Sequence, residues 1–194
     1  MNDAMSTVKH LKTEELEAGL GHILAAPADS GTIEMIVRRP QVDAREVLSE
    51  GQLDCKVGLV GDNWLQKGYR KTADGNAHPE MQINLMNSRV IALVAGERAN
   101  WPLAGDQFFV DFDLSDDNLP PGTRLALGDA VLEITAEPHL GCKKFTTRFG
   151  LEAMMFVNSG RGKELNLRGI NAKVIKAGAV KTGASIAKVV ADGL

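Results

Sequence analysis

Apolar and polar residues alternate along this chain in short runs, mostly four to eight residues long, each closed off by glycine, proline or an acidic turn. That period of two is the signature of strands with one face on a core. Residues 32–39 have the β-branched content of a strand; Pro40 interrupts it, and residues 45–53 read as an antiparallel partner. Met81-Gln82-Ile83-Asn84-Leu85 alternates as a half-buried strand, and Asn87-Ser88 then caps a short helix that stops at Gly96. Residues 101–106 turn into a strand over 107–114, on which Phe108, Val110, Phe112 and Leu114 share one face. Residues 124–127 and 130–135 flank Gly128-Asp129, the clearest hairpin in the sequence. Two last strands, 172–176 and 185–190, are joined through Gly178 and Gly183.

Helical spacing is confined to three places: 13–24, opened by Thr13 with Glu14 and Glu15 in its first turn, 88–96, and 147–157 with Phe149, Ala153 and Phe156 along one side. Residues 68–79 are polar and turn-rich, a surface loop containing His78, and the glycine-framed turn over 58–64 places Trp64 against the core. The pattern predicts a mainly β, antiparallel, barrel-like domain with a few short peripheral helices.

Composition narrows the class. A chain of 194 residues supports one well-buried core, and 44% hydrophobic with 24% charged residues is the balance of a globular protein. No apolar run is long enough to cross a bilayer, so no membrane association is expected, and residues 1–10 lack the basic start and apolar core of a secretory signal. The expectation is a cytoplasmic protein whose two cysteines, Cys55 and Cys142, stay reduced, although spacing alone leaves a bridge between them open. Residues 142–176 carry eight Lys or Arg against Glu152 and Glu164, a local charge of +6 within a chain of net charge −3. Residues 106–117 hold five aspartates and no base. With a pI near 5.8 the chain is not expected to bind nucleic acid, which requires a broad basic face.

That basic region begins at Cys142, which follows a predicted strand and precedes a predicted helix, with Lys143, Lys144 and Arg148 within six residues of its sulfur. Neighbouring cations and a helix start both favour the thiolate form, the nucleophile and metal ligand, so Cys142 is the candidate reactive residue. The competing reading is a small buried hydrophobe. A zinc site using His139 and Cys142 with Cys55 or His78 has a usable His-x-x-Cys spacing but lacks the paired cysteines of structural zinc. Residues 158–163 are glycine-rich without phosphate-loop spacing and read as a solvated loop, and no nucleophile elbow, His-Glu-x-x-His or dinucleotide fingerprint occurs.

Taken in order, Leu59-Val60-Gly61-Asp62, Gln82-Ile83-Asn84-Leu85, the hairpin from Pro121 to Thr135, Cys142, and Gly169, Gly178, Val180 and Gly183 resemble the landmarks of the MOSC domain, named for the C-terminal part of molybdenum cofactor sulfurases. The resemblance is strongest over 55–190 of a single MOSC-like domain spanning 1–194, with 1–30 as an N-terminal helical extension. It implies a closed antiparallel β-barrel. It also implies that Cys142 carries sulfur as a persulfide or ligates molybdenum in the pterin-bound molybdenum cofactor (molybdopterin). That group is phosphorylated and anionic, so Lys143, Lys144, Arg148 and Arg168 are the candidate cofactor-binding residues. The sequence departs from the family in two places: Gly141 where many members have Pro, and Gly105-Asp106-Gln107 where many have Gly-Glu-Asn. A chain of this length has no room for the pyridoxal-phosphate-dependent desulfurase domain of the long sulfurases. Sulfur would come from a separate cysteine desulfurase, or electrons from a redox partner, in trans. Two alternatives are a molybdenum-dependent reductase of N-hydroxylated compounds and a non-enzymatic barrel that binds an anion or a partner.

Overall fold

The structure, a computed structural model, describes residues 8–189. Two short helices, α1 (Thr13–Ala18) and α2 (Leu20–Leu24), precede β1 (Ser30–Arg38), β2 (Glu46–Leu48), β3 (Glu50–Asp54) and β4 (Gly58–Leu59). A helical turn α3 (Trp64–Lys67) and the 68–81 segment lead to β5 (Ile83–Asn87), α4 (Ser88–Ala95), a 3-10 turn over Arg98–Ala104, and β6 (Phe108–Asp111). The hairpin β7 (Arg124–Leu127) and β8 (Ala130–Ile134) is followed by α5 (Lys143–Phe149), α6 (Leu151–Asn158), α7 (Gly160–Glu164), β9 (Ile170–Lys176), β10 (Gly178–Lys181) and β11 (Ser185–Lys188).

Seven of these strands close on themselves. The ring runs β1-β6-β5-β9-β8-β7-β11, and β11 returns to β1 through Ser30 opposite Ala187. A closed ring leaves none of its strands with an unpaired edge. The expected barrel is present, but it is mixed: β5 and β6 run parallel, with Leu85 beside Phe108. Parallel neighbours require a crossover, and α4 with the 3-10 turn supplies it. The segment expected to pair along 45–53 does so only over β2; past Ser49 the chain leaves the barrel and pairs as β3 with β10 and β4 in a separate three-stranded sheet.

Alternation along the barrel strands sends side chains to two cores. Ile33, Ile36, Leu85, Phe108, Val110 and Leu132 fill the interior, joined by Phe112 and Leu114 from just beyond β6. Met35, Val37, Met86 and Phe109 point outward and are covered by Leu16, Val90, Phe145, Phe149 and Phe156 from the helices. Both faces of β5 are therefore buried, not one as its alternation suggested. Each such side chain contributes about 1.5–3 kcal/mol of burial, which is why short helices persist here: packing, not propensity, holds them.

The helix expected over 147–157 is two helices, because Gly150 adopts φ +94 and redirects the chain between α5 and α6. The 13–24 helix is likewise divided at Gly19, and the loop expected at 158–163 is instead largely α7, with Ser159 accepting a bond from the Gly162 amide. Trp64 is half-buried at the start of α3 and not in either core. Val190, the end of the last expected strand, and residues 1–7 lie outside the described residues.

Barrel closure sets a steric test. A Cβ on Gly31 would meet the Asp111 carbonyl oxygen across the β1–β6 pairing, whereas one on Gly21, exposed in α2, meets nothing within 4 Å. Gly31→Ala is expected to cost ~1–3 kcal/mol or more, and Gly21→Ala to gain about 0.5–1 kcal/mol, both read from urea midpoints.

Candidate functional site

The end of β1 delivers Arg39 to one mouth of the barrel, where every part of its guanidinium is engaged. Its Nε and Nη2 donate to the two oxygens of Asp62 at 2.8 Å each, and Nη1 donates to Asn84 Oδ1 at 3.1 Å and to the Gly105 carbonyl at 2.8 Å. Asp62 has a fully buried side chain and also accepts from the Arg39 and Trp64 amides. The glycine–aspartate turn after β4 is thereby locked to the barrel rim. Asn84 continues the network to Asn171 on β9, whose amide donates at 3.0 Å to the Glu137 carbonyl. The strands thus hold the start of the loop that carries His139 and Cys142.

A second buried group holds the middle of that loop. Asp106 has no exposed surface; Arg168 Nη1 donates to both its oxygens, at 3.0 and 2.7 Å, and His139 Nε2 lies 2.8 Å from Oδ1. Burial pushes the Asp106 carboxyl up, but Arg168 and His139 outweigh it and hold it at about 2. Burial and the Arg168 charge push His139 below its ordinary value, against the pull of Asp106. At neutral pH the ring is uncharged, and since an ionised carboxylate only accepts, Nε2 is the protonated nitrogen. Arg168 also donates to the Ala104 carbonyl at 3.0 Å and lies over the Phe145 ring at 5.0 Å.

Cys142 is exposed at the N-cap of α5 and lines a cleft of about 620 Å³. Arg39, Arg45, Lys67, Arg70, Lys144 and Arg148 line the same cleft, with Trp64, Tyr69 and Phe145 as aromatic wall and Asp43 as the one carboxylate among the lining residues. Asp43 holds Lys144 Nζ at 2.8 Å and Arg148 Nη2 at 3.2 Å. The other cations crowd one another. Burial, then Arg148 and Arg39, push Arg45 below its ordinary value; burial, then Arg39, Lys144 and Arg45, do the same to Lys67. Such a site favours an anion, whose charge relieves repulsion already present.

The residues singled out in sequence are placed as follows. Lys144 and Arg148 share the cleft with Cys142; Lys143 is exposed and does not line it; Arg168 is buried beneath it in the Asp106 pair, lining a separate cavity of about 330 Å³. Both cysteines are free, and Cys55 is exposed on the β3–β4 turn. Among the described residues no group of three or more His, Cys, Asp or Glu is arranged to hold a metal ion. The cations sequence reasoning missed, Arg39, Arg45, Lys67 and Arg70, come from chain 70 or more residues before Cys142. Acidic residues are interspersed among them, so no local basic run marks them, and the folding that brings them to the thiol is not legible in the sequence.

The buried trio makes acid stability a readout. Asp106 has a folded pKa below its ordinary 3.8, so its contribution is present above that value and lost as pH falls towards about 2, roughly 2 kcal/mol in all. His139, also lowered, is destabilising once pH falls below its ordinary 6.5. Urea midpoints are expected to be level above neutrality and to fall in two stages on acidification. Asp106→Asn, which strands the Arg168 charge, is expected to cost ~3–5 kcal/mol at pH 7.

No family model and no curated protein sequence matches the chain. Solved structures do. The YuaD protein of Bacillus subtilis superposes with a TM-score of 0.57 at 20% identity, covering 81% of this chain and 94% of that one. YiiM of Escherichia coli gives 0.53 at 19%, covering 82% and 70%, and YiiM of Geobacillus stearothermophilus 0.50 at 12%, covering 85% and 75%. At these identities the likeness is one of architecture, and the architecture of this chain is a MOSC-like fold.

Proposed function

We propose that this protein binds molybdenum cofactor in the cationic cleft, with the Cys142 thiolate facing the metal. The observation that carries this reading is the joint lining of one cleft by an exposed cysteine and six cationic side chains against a single carboxylate. A volume of about 620 Å³ is in the range of small-molecule and cofactor sites. The donor set suits the group: guanidinium and ammonium donors for its phosphate, aromatic surface at Trp64 and Tyr69 for a flat heterocycle, and a soft sulfur for molybdenum. When bound, the group would supply a redox-active metal centre. Arg45, Lys67, Arg70, Lys144 and Arg148 would bind its anionic end, while Arg39, fixed by Asp62, would shape the floor.

Exposure of Cys142 favours a second reading, a sulfur carrier that receives a persulfide from a pyridoxal-phosphate-dependent cysteine desulfurase. A reductase of N-hydroxylated compounds would use the same cleft and would require an electron donor in trans.

Metal and pterin content of the protein purified from a host that makes molybdenum cofactor tests the first reading. Near-stoichiometric molybdenum and pterin are expected, with metal reduced at least tenfold in Cys142→Ala and both reduced in Arg45→Glu/Arg148→Glu. A protein free of molybdenum and pterin, with Cys142 accepting sulfur from a desulfurase, would transfer the assignment to the carrier.

A further inference from the structure

We propose that Asn158 is the positioning residue for Cys142: its side-chain amide clamps the Gly141 peptide and thereby aims the thiol at the cations of the cleft. This rests on the reading that Cys142 is the cleft's reactive group.

Cys142 does not hold itself. It is exposed, its backbone is extended at φ −118 and ψ 178, and its side chain makes no capping bond to α5. The direction of the thiol is therefore inherited from the backbone on either side. On the later side α5 is the anchor, since the Thr146 amide donates to the Cys142 carbonyl at 3.0 Å. On the earlier side the chain between Ile134 and Lys143 has no helix or strand, and the residue bonded to Cys142 is Gly141, the residue type with the widest choice of backbone conformation. Left alone, that glycine would let Cys142 swing about the start of the helix.

Asn158 removes this freedom. The Gly141 N–H donates to Asn158 Oδ1 at 2.8 Å, and Asn158 Nδ2 donates back to the Gly141 carbonyl at 3.1 Å. Nδ2 also reaches Met154 Sδ at 3.3 Å, so one orientation of the amide serves all three contacts. A single side chain thus pairs both backbone groups of Gly141, as a neighbouring strand would. The clamp has a firm base, because Asn158 ends α6 directly after Phe156 and Val157, which are buried in the outer core.

The two residues are matched in size. A Cβ on Gly141 would stand 3.2 Å from Asn158 Nδ2, 3.3 Å from Val157 Cγ2 and 3.4 Å from Asn158 Oδ1, so a side chain there would press the amide off the peptide it holds. Asp106 and Asn171 hold the same loop further back, at His139 and Glu137. The clamp acts on the residue next to the thiol. Asn158 is not among the residues lining the cleft, so it acts through Cys142 and not on a ligand.

The test reads the direction of the thiol in the full chain carrying Cys55→Ser, which leaves one cysteine. At fixed pH the protein is reacted with two disulfides: 5,5′-dithiobis(2-nitrobenzoate), a dianion drawn by the cleft cations, and neutral 4,4′-dithiodipyridine. The ratio of the two rates, divided by the same ratio for free 2-mercaptoethanol, reports whether the sulfur faces the cations, because a change in the thiol's proton equilibrium or in its exposure moves both rates together. With the clamp intact the dianion is expected to be favoured about tenfold, an advantage that added salt removes. Asn158→Leu, close in volume but unable to pair with the peptide, and Gly141→Ala, which displaces the amide, are each expected to stay folded by circular dichroism. Each is expected to cut that advantage about fivefold and to speed exchange of the amide hydrogen at position 141 about tenfold. An unchanged ratio in a folded variant whose position 141 exchanges faster overturns the proposal and leaves Cys142 as the reactive group. An unprotected Gly141 amide in the unsubstituted chain does the same without any variant. A Cys142 that reacts with neither disulfide, or shows no preference for the dianion, overturns the reading of the cleft and the proposal together.

Discussion

A carboxylate with no exposed surface has to be neutralised where it stands, and Asp106 sets that demand at the entrance to β6. Arg168, just ahead of β9, supplies the opposite charge, and His139, on the loop after β8, adds a hydrogen bond. One group therefore fixes three segments that are far apart in sequence. A buried ion pair rarely adds much stability over an apolar replacement, since desolvation consumes the attraction. What it adds here is position. Arg168 lies over Phe145 of α5, and Cys142 is the N-cap of α5, so the charge buried at Asp106 governs where the thiol emerges.

The barrel supplies the frame on which that charge is placed. Its closed hydrogen-bond ring leaves the strand ends as the places where irregular chain can gather. At one mouth, Asn84, Gln107, Gln82 and Asn171 satisfy one another and nearby backbone groups: the Asn84 backbone N–H donates to Gln107 Oε1 at 2.8 Å, and Gln82 Oε1 accepts from the Val174 backbone N–H at 2.7 Å. A fully paired polar network of this kind is rigid, and a partly paired one would be a defect. Rigidity in the floor matters because the cleft walls, α3, the 68–81 segment and α5, are held mainly by what they rest on.

Much of this architecture was legible in local pattern. The Gly128-Asp129 hairpin, the Asn87 cap and the shared face of Phe108, Val110, Phe112 and Leu114 are all decided by residues within a few positions of one another. The parallel pairing of β5 with β6 was not legible, because strand alternation carries no direction. The single helix expected over 147–157 failed because Gly150 reads, in sequence, as a tolerable interruption, while its positive φ is imposed by the packing of Phe149 and Ala153 into one core. Cys142, Lys144 and Arg148 were found because they are neighbours. Arg39, Arg45 and Lys67 were not, since what makes them part of the site is a contact order no local count can see. Arg168 was counted for its charge, yet its charge is used inside the protein.

That last contrast separates the cations by what balances them. Arg39 and Arg168 each face a buried aspartate that cannot leave, and their positions are fixed for that reason. Lys144 and Arg148 face Asp43, whose side chain is more than half exposed, and a solvent-screened pair of that kind is worth little. Arg45 and Lys67 lie in the cleft with their charge disfavoured by burial and by one another. An incoming anion therefore meets two kinds of guanidinium and ammonium: fixed ones that define the shape of the cleft, and underpaid ones whose charge it can neutralise at small cost to the fold. The difference lies in the carboxylates, Asp62 and Asp106 deep in the barrel mouth and Asp43 at the surface, and it directs the binding energy of the cleft outward, towards the side on which Cys142 is exposed.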